Sequence, residues 1–363
     1  MFIENHNSVS MIDQLLKKFP DSSSSGTQIK FFGNSEEEYF TLKHGVGILL
    51  SFHKRIIKFT GKDTLDFLHR VSTNAVKELK PFYRIPTLFL NEKGRFIDRT
   101  DLLNLENYFL LVGSCNQNRL FNWVNKYIIT EDIQTLDVSN DYVIIDFVGP
   151  QSGSFLTLLL GDEIKSLNGD NILNPDVDGF NFFLFTHRES NGLKYYRILL
   201  PSDKLLSFTD YVIDNKSVFD VNFVGSDAYE IFRVENGIPD YPSEVNDEIN
   251  PHENNLINEV SFTKGCYIGQ EVVARLDTYD KVQRNLTGIV FDENIKAELP
   301  VTIINESKEE IGEVTSIANT PVNGKTIGLG FIRKKKLIPK EKLFIEIDSK
   351  RIYLSLAELP VTK

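Results

Sequence analysis

Sulfur and histidine are scarce in this chain: two cysteines, Cys115 and Cys266, two methionines and six histidines in 363 residues. Two thiols are too few for a disulfide framework or a four-thiolate metal site, which leads us to expect reduced cysteines and a cytoplasmic setting. The histidines, His6, His44, His53, His69, His187 and His252, show neither an HExxH spacing nor a Cys-Xaa-Xaa-Cys companion, so no dedicated metal site is expected. No long apolar run occurs, and the start of the chain carries Glu4 and Asp13 without arginine, against a membrane span, signal peptide or transit peptide. Positive charge is short too. With a net charge of -11 and a pI of about 5.2, an extensive nucleic-acid-binding face is excluded, because such affinity comes from neutralising phosphates. The one strong basic run, Arg333-Lys334-Lys335-Lys336, reads as a solvated turn.

What is present is ordinary for a folded protein: 41% hydrophobic and 25% charged residues, and length for two or three domains. Met11, Ile12, Leu15, Leu16 and Phe19 predict a short amphipathic helix over 10–19, ended by Pro20 and followed by a Ser-rich linker, so 1–29 reads as an appendage. Runs at 47–52 and 55–60 predict strands, and Gly61-Lys62-Asp63-Thr64 turns the second into an apolar helix. The same unit recurs at Tyr142–Val148, Gly149 and Ser152–Leu159. Gly61, Thr64, Phe67 and Leu68 match Gly149, Ser152, Phe155 and Leu156 at an offset of 88 residues, with a weaker third copy from Val221. Two related lobes produce this pattern, and so does coincidence between two ordinary strand-to-helix turns. Gly94 within Asn91–Arg99 predicts a hairpin, and Cys115 closes a strand as a packing residue. Beyond 280, short β-rich runs predict a small antiparallel barrel. The expected fold is α+β: two α+β lobes over 30–140 and 141–281, then a barrel over 282–363.

The chemistry concentrates in Lys264-Gly265-Cys266-Tyr267-Ile268-Gly269-Gln270-Glu271, which runs on to Arg275. A thiol reacts as thiolate, and a cation two residues away, Lys264, is a plausible activator of Cys266. The alternative is that Cys266 is a small buried hydrophobe.

This stretch resembles the signature of the YgfZ-type branch of the glycine-cleavage T-protein-like folate-binding superfamily. Supporting matches, in the family's order, are Gly149-Pro150, Arg233-Val234-Glu235-Asn236-Gly237-Ile238-Pro239 and Gly312-Glu313-Val314-Thr315-Ser316. The resemblance implies a three-domain architecture around a reduced folate, tetrahydrofolate or a one-carbon derivative, and a role serving iron-sulfur client or assembly proteins. It implies Glu235 as the carboxylate for the pterin and Tyr229 as a stacking aromatic. Tyr267 belongs to the implied folate set, and Lys54 or Arg275 would meet the glutamyl tail. The family's second aromatic is absent: that position reads as Lys54, with Phe52 nearby. Aminomethyltransferases of the superfamily carry paired aspartates where this chain has Asp98 and Arg99, which removes one possible base.

Three functions therefore stand as expectations. The first is a tetrahydrofolate-binding auxiliary protein for iron-sulfur enzymes, with Cys266 as its thiol and Lys264 priming it. The second is a folate-dependent aminomethyl- or methyltransferase using Asp98. The third is a non-enzymatic scaffold.

Overall fold

In the computed structural model the described residues are 6–52, 54–115, 118–190, 192–278, 282–320, 324–339 and 341–361. The helices are α1 (His6–Leu16), α2 (Ser35–His44), α3 (Thr64–Val71), α4 (Arg119–Tyr127), α5 (Ser152–Leu160), α6 (Leu205–Asp214), α7 (Ser226–Asn236) and α8 (Gln270–Thr278). The chain divides into two compact units. Unit 1 comprises residues 1–68, 76–86 and 100–229; unit 2 comprises 69–75, 87–99 and 230–363.

Unit 1 contains a five-stranded sheet in the order Phe183–Ser190, Leu193–Pro201, Tyr142–Val148, Val46–Ser51, Val221–Val224. Its last pair is parallel and the others antiparallel. Phe147, Phe155, Leu184 and Ile198 are fully buried in its core. A second sheet is ordered Tyr83–Leu90, Phe96–Asn104, Phe109–Gly113, Ile56–Thr60, Gln134–Asp137; its first two strands cross the division at 86/87 and 99/100.

Each strand-to-helix unit expected in this region is present, and one physical device repeats in all three. Gly61 and Gly149 have φ of +115° and +128°, and a Cβ there would lie 2.0 Å from the Asp132 carbonyl oxygen and 2.4 Å from that of Gly45. At Gly225, in the third copy, it would lie 2.2 Å from the Lys30 carbonyl oxygen. Only glycine lets another backbone come this close. The helix expected over 10–19 runs His6–Leu16 and buries Ile12 and Leu15 in the unit 1 core. The Ser-rich stretch read as a flexible linker instead pairs Ser23–Ser25 with Gln28–Phe31. Serine composition favours turns but does not prevent a strand when a partner segment lies two residues on.

Unit 2 ends in a closed antiparallel barrel, in the order Asn285–Phe291, Thr326–Ile332, Glu310–Asn319, Val301–Asn305, Leu343–Ile347, Lys350–Ala357. Closure leaves no free sheet edge. Its interior holds Ile289, Ile303, Val314 and Ile345. A second core in this unit gathers Leu88, Phe96, Val234, Tyr267 and Val273 beside Leu329 and Phe331. The fold is α+β with a C-terminal barrel, as the sequence led us to expect. Among the described residues no helix is long and apolar enough to cross a membrane.

Candidate functional site

The Lys264–Glu271 stretch is a loop that enters α8, and all of it lies in unit 2. The Lys264 ammonium donates to the carbonyl oxygens of Ser72 (2.6 Å) and Asn74 (2.9 Å) and to that of His69, in the last turn of α3. These groups lie at a helix C-terminus, where orphan carbonyls and the helix dipole both favour a cation. Nζ also lies 5.3 Å from the Tyr267 ring centroid. Burial pulls the Lys264 pKa down to about 8, while the three carbonyls favour the charged form. An ammonium has three N–H donors, and here backbone carbonyls take them. Lys264 thus anchors the loop through these carbonyls.

The loop is fixed at its other end as well. Gly269 has φ +84°, and a Cβ there would lie 2.6 Å from the Asn91 carbonyl oxygen, because the loop rests on the Asn91–Gly94 hairpin turn. That turn is the one expected from Gly94, with Asn91 Oδ1 accepting from the backbone N–H of Lys93 and Arg95. Tyr267 is buried, which pushes its phenol up to about 12. Cys266 is exposed, so it is not the buried hydrophobe of the alternative reading. Arg275, near the end of α8, is exposed too.

Asp98 and Arg99 lie on the Phe96–Asn104 strand, every residue of which is buried. Asp98 Oδ1 accepts the N–H of Arg99 at 2.8 Å. The Arg99 guanidinium forks onto Glu259, with Nε–Oε1 at 2.9 Å and Nη2–Oε1 at 2.6 Å. The charge reversal expected at position 99 is therefore neutralised within unit 2. Glu235, in the last turn of α7, is 1% exposed, and its carbonyl accepts the Val361 N–H at 2.7 Å. Tyr229, half-buried, belongs to the first turns of the same helix. Six helical residues turn through about 600°, so the two side chains leave α7 on different faces.

In unit 1, Lys54 and Tyr229 border a charged cluster that sequence reasoning missed. Asp101 accepts from Arg84 Nη1 (2.5 Å) and Arg197 Nη1 (3.4 Å), and His187 Nδ1 lies 2.5 Å from its Oδ2. Arg197 also grips Asp146 through two bonds of 2.7 Å. Burial raises the Asp146 pKa, but Arg197 outweighs it, with His187 and Lys54 adding to the pull, and holds the carboxyl at about 2. Tyr229 adds its own field to Tyr195, whose phenol burial drives far above the ordinary range. The one signal available was an isolated charge in an apolar strand, as at Arg197 in Tyr195–Leu200.

Residues 14–264 match the GCVT N-terminal domain, and residues 284–363 match the glycine cleavage T-protein C-terminal barrel domain. The chain belongs to the glycine cleavage T-protein family. Among its relatives, the aminomethyltransferase of Staphylococcus carnosus (strain TM300) is 22% identical over 325 residues, 88% of each chain. The crystal structure of the glycine cleavage system aminomethyltransferase T from Bartonella henselae covers 97% of both chains with a TM-score of 0.83 at 19% identity, a likeness of fold.

Proposed function

We propose that this protein is a tetrahydrofolate-binding auxiliary protein of the YgfZ type, cytoplasmic and serving iron-sulfur enzymes, with Cys266 as its working thiol. The observation that carries the reading is the contrast within one short loop. Lys264 is tied to three carbonyls, Tyr267 is buried and Gly269 sits against another backbone, while Cys266 stands exposed between them. A thiol held out on an anchored loop is accessible to a partner protein, which suits exchange with one. Two cysteines do not make a four-thiolate cluster, so stable cluster binding would need a second chain or outside ligands, and the proposal places the iron-sulfur group on a client.

The chemistry of Glu235 suits the pterin of a folate. A buried carboxylate such as Glu235 accepts two parallel N–H bonds from the amino and ring N–H groups of a pterin. The family resemblance adds Tyr229 and Tyr267 as candidates for the pterin and Lys54 or Arg275 for the anionic tail, each to be tested by its own alanine variant. Calorimetric titration with tetrahydrofolate and 5-formyltetrahydrofolate tests this: Glu235→Ala should weaken binding roughly tenfold to hundredfold. The client role is tested by the activity of iron-sulfur enzymes in cells lacking the protein. Wild type should restore that activity and Cys266→Ala should not; equal rescue by both would remove the thiol from the reading.

Aminomethyl transfer is the second reading, favoured by the names of the relatives and by the presence of Asp98. Here Asp98 would orient or deprotonate the attacking group. Loss of transfer in Asp98→Asn with Cys266→Ala silent would establish it, and the reverse pattern would exclude it.

A further inference from the structure

Two stretches that carried the family resemblance, 233–239 and 312–316, lie far apart in sequence and meet at a buried carboxylate that neither contains. Glu244 is 0% exposed. Its Oε1 accepts the hydroxyls of Thr315 (2.6 Å) and Ser316 (2.7 Å), and its Oε2 accepts Arg233 Nη1 (3.0 Å) and the Asp240 N–H (3.2 Å). Arg233 completes the junction: Nη2 donates to Ser316 Oγ at 2.6 Å, Nη1 to the Ile238 carbonyl at 3.2 Å, and Nε to Glu230 at 2.6 Å. Both side chains have their hydrogen-bonding capacity filled, so this is not a vacant ligand site. It is a joint between the end of α7 and the Glu310–Asn319 barrel strand.

We infer that Glu244 is the positioning residue for Glu235. Glu235 lies two residues beyond Arg233, in the final turn of the helix that this joint holds. The far side of the same turn is fixed independently. Gly237, at φ +69°, lets Leu359 pack where a Cβ would lie 2.6 Å from its side chain, and the Val361 N–H binds the Glu235 carbonyl at 2.7 Å. The terminal segment therefore holds the Glu235 backbone, and the Glu244–Arg233 joint sets the rotation of the turn. A carboxylate that must present two oxygens to a planar ligand depends on that rotation, since bidentate bonds weaken steeply with misalignment. The guanidinium is held from two sides: Glu230 takes Nε and Nη2 from within α7, and the fully buried Glu244 supplies the counter-charge that ties it to the barrel strand.

The inference rests on Glu235 as the pterin carboxylate, so the test is a double-mutant cycle on tetrahydrofolate affinity with Glu244→Gln and Glu235→Gln. Thermal unfolding checks that each variant is folded. We expect Glu244→Gln to weaken binding about tenfold, and the double variant to bind no worse than Glu235→Gln alone. A merely structural role gives additive losses and overturns the inference, as does wild-type affinity in Glu244→Gln. Should Glu244→Gln fail to fold, Ser316→Ala removes one member of the joint and should show the same non-additivity with a loss of two- to threefold. Absence of tetrahydrofolate binding by the wild-type protein, or wild-type affinity in Glu235→Gln, refutes the underlying reading instead and takes this inference with it.

Discussion

Replacing Lys264 by methionine keeps an apolar stem of similar reach and removes only the ammonium. In the wild-type protein that group takes the carbonyls of His69, Ser72 and Asn74. A hydrogen bond to a charged partner contributes about 1.5–3 kcal/mol. Lys264 is partly exposed, so water can reach some of the carbonyls left behind. Counting one bond in full and the others at a fraction gives about 2–3 kcal/mol for opening of the loop, or roughly 30- to 150-fold in the opening equilibrium. Native-state hydrogen exchange reads this directly. Amide protection in 69–75 and 261–269 should fall by that factor in Lys264→Met and stay unchanged in the barrel strands. A change below about threefold, or an equal loss in the barrel, would refute the anchoring role.

Three further outcomes follow from the geometry. Arg99→Ala strands Glu259 at 13% side-chain exposure and should cost about 3 kcal/mol by urea denaturation, with Arg99→Lys recovering only part because it cannot fork; a loss within 0.5 kcal/mol would contradict the pairing. Gly269→Ala imposes a Cβ 2.6 Å from the Asn91 carbonyl oxygen at φ +84° and should cost about 1–3 kcal/mol; unchanged stability would mean that the hairpin yields. Asp146, held at about 2, contributes about 2 kcal/mol that is present above pH 4 and lost as pH falls toward 2. An acid titration of stability in which Asp146→Asn keeps the full wild-type slope would dismiss that contribution.

The legible parts of the sequence were those governed by local rules. Strand, glycine and helix follow one another at Gly61, Gly149 and Gly225 because the turn needs a residue without a side chain, and that need is written at the turn itself. The hairpin at Gly94 and the alternating runs of the barrel are local in the same way. What escaped depends on partners far along the chain. The Phe96–Asn104 strand reads as polar, yet is buried throughout, because Arg99 meets Glu259 and Asp101 meets Arg84 and His187. The anchoring of Lys264 escaped because its carbonyl partners lie about 190 residues earlier. Glu244 stood outside every motif, and only folding brings Thr315, Ser316 and Arg233 to it.

Position 99 bears most directly on the choice between the two functional readings. A guanidinium on a wholly buried strand carries a large desolvation cost, which a carboxylate of good geometry offsets and water does not. Glu259 supplies that geometry with both oxygens, and its own carbonyl accepts the Thr73 hydroxyl at 2.9 Å. An arginine embedded in this way is committed to the fold of unit 2 and offers no base for proton transfer. Transfer chemistry would then rest on Asp98 alone, a carboxylate 1% exposed beside that ion pair. Cys266 carries the opposite character: an exposed thiol on a loop in which Lys264 and Tyr267 are engaged elsewhere. Membership of the family thus transmits the fold to this chain, and the proposed thiol role rests on its own residues, Cys266 above all.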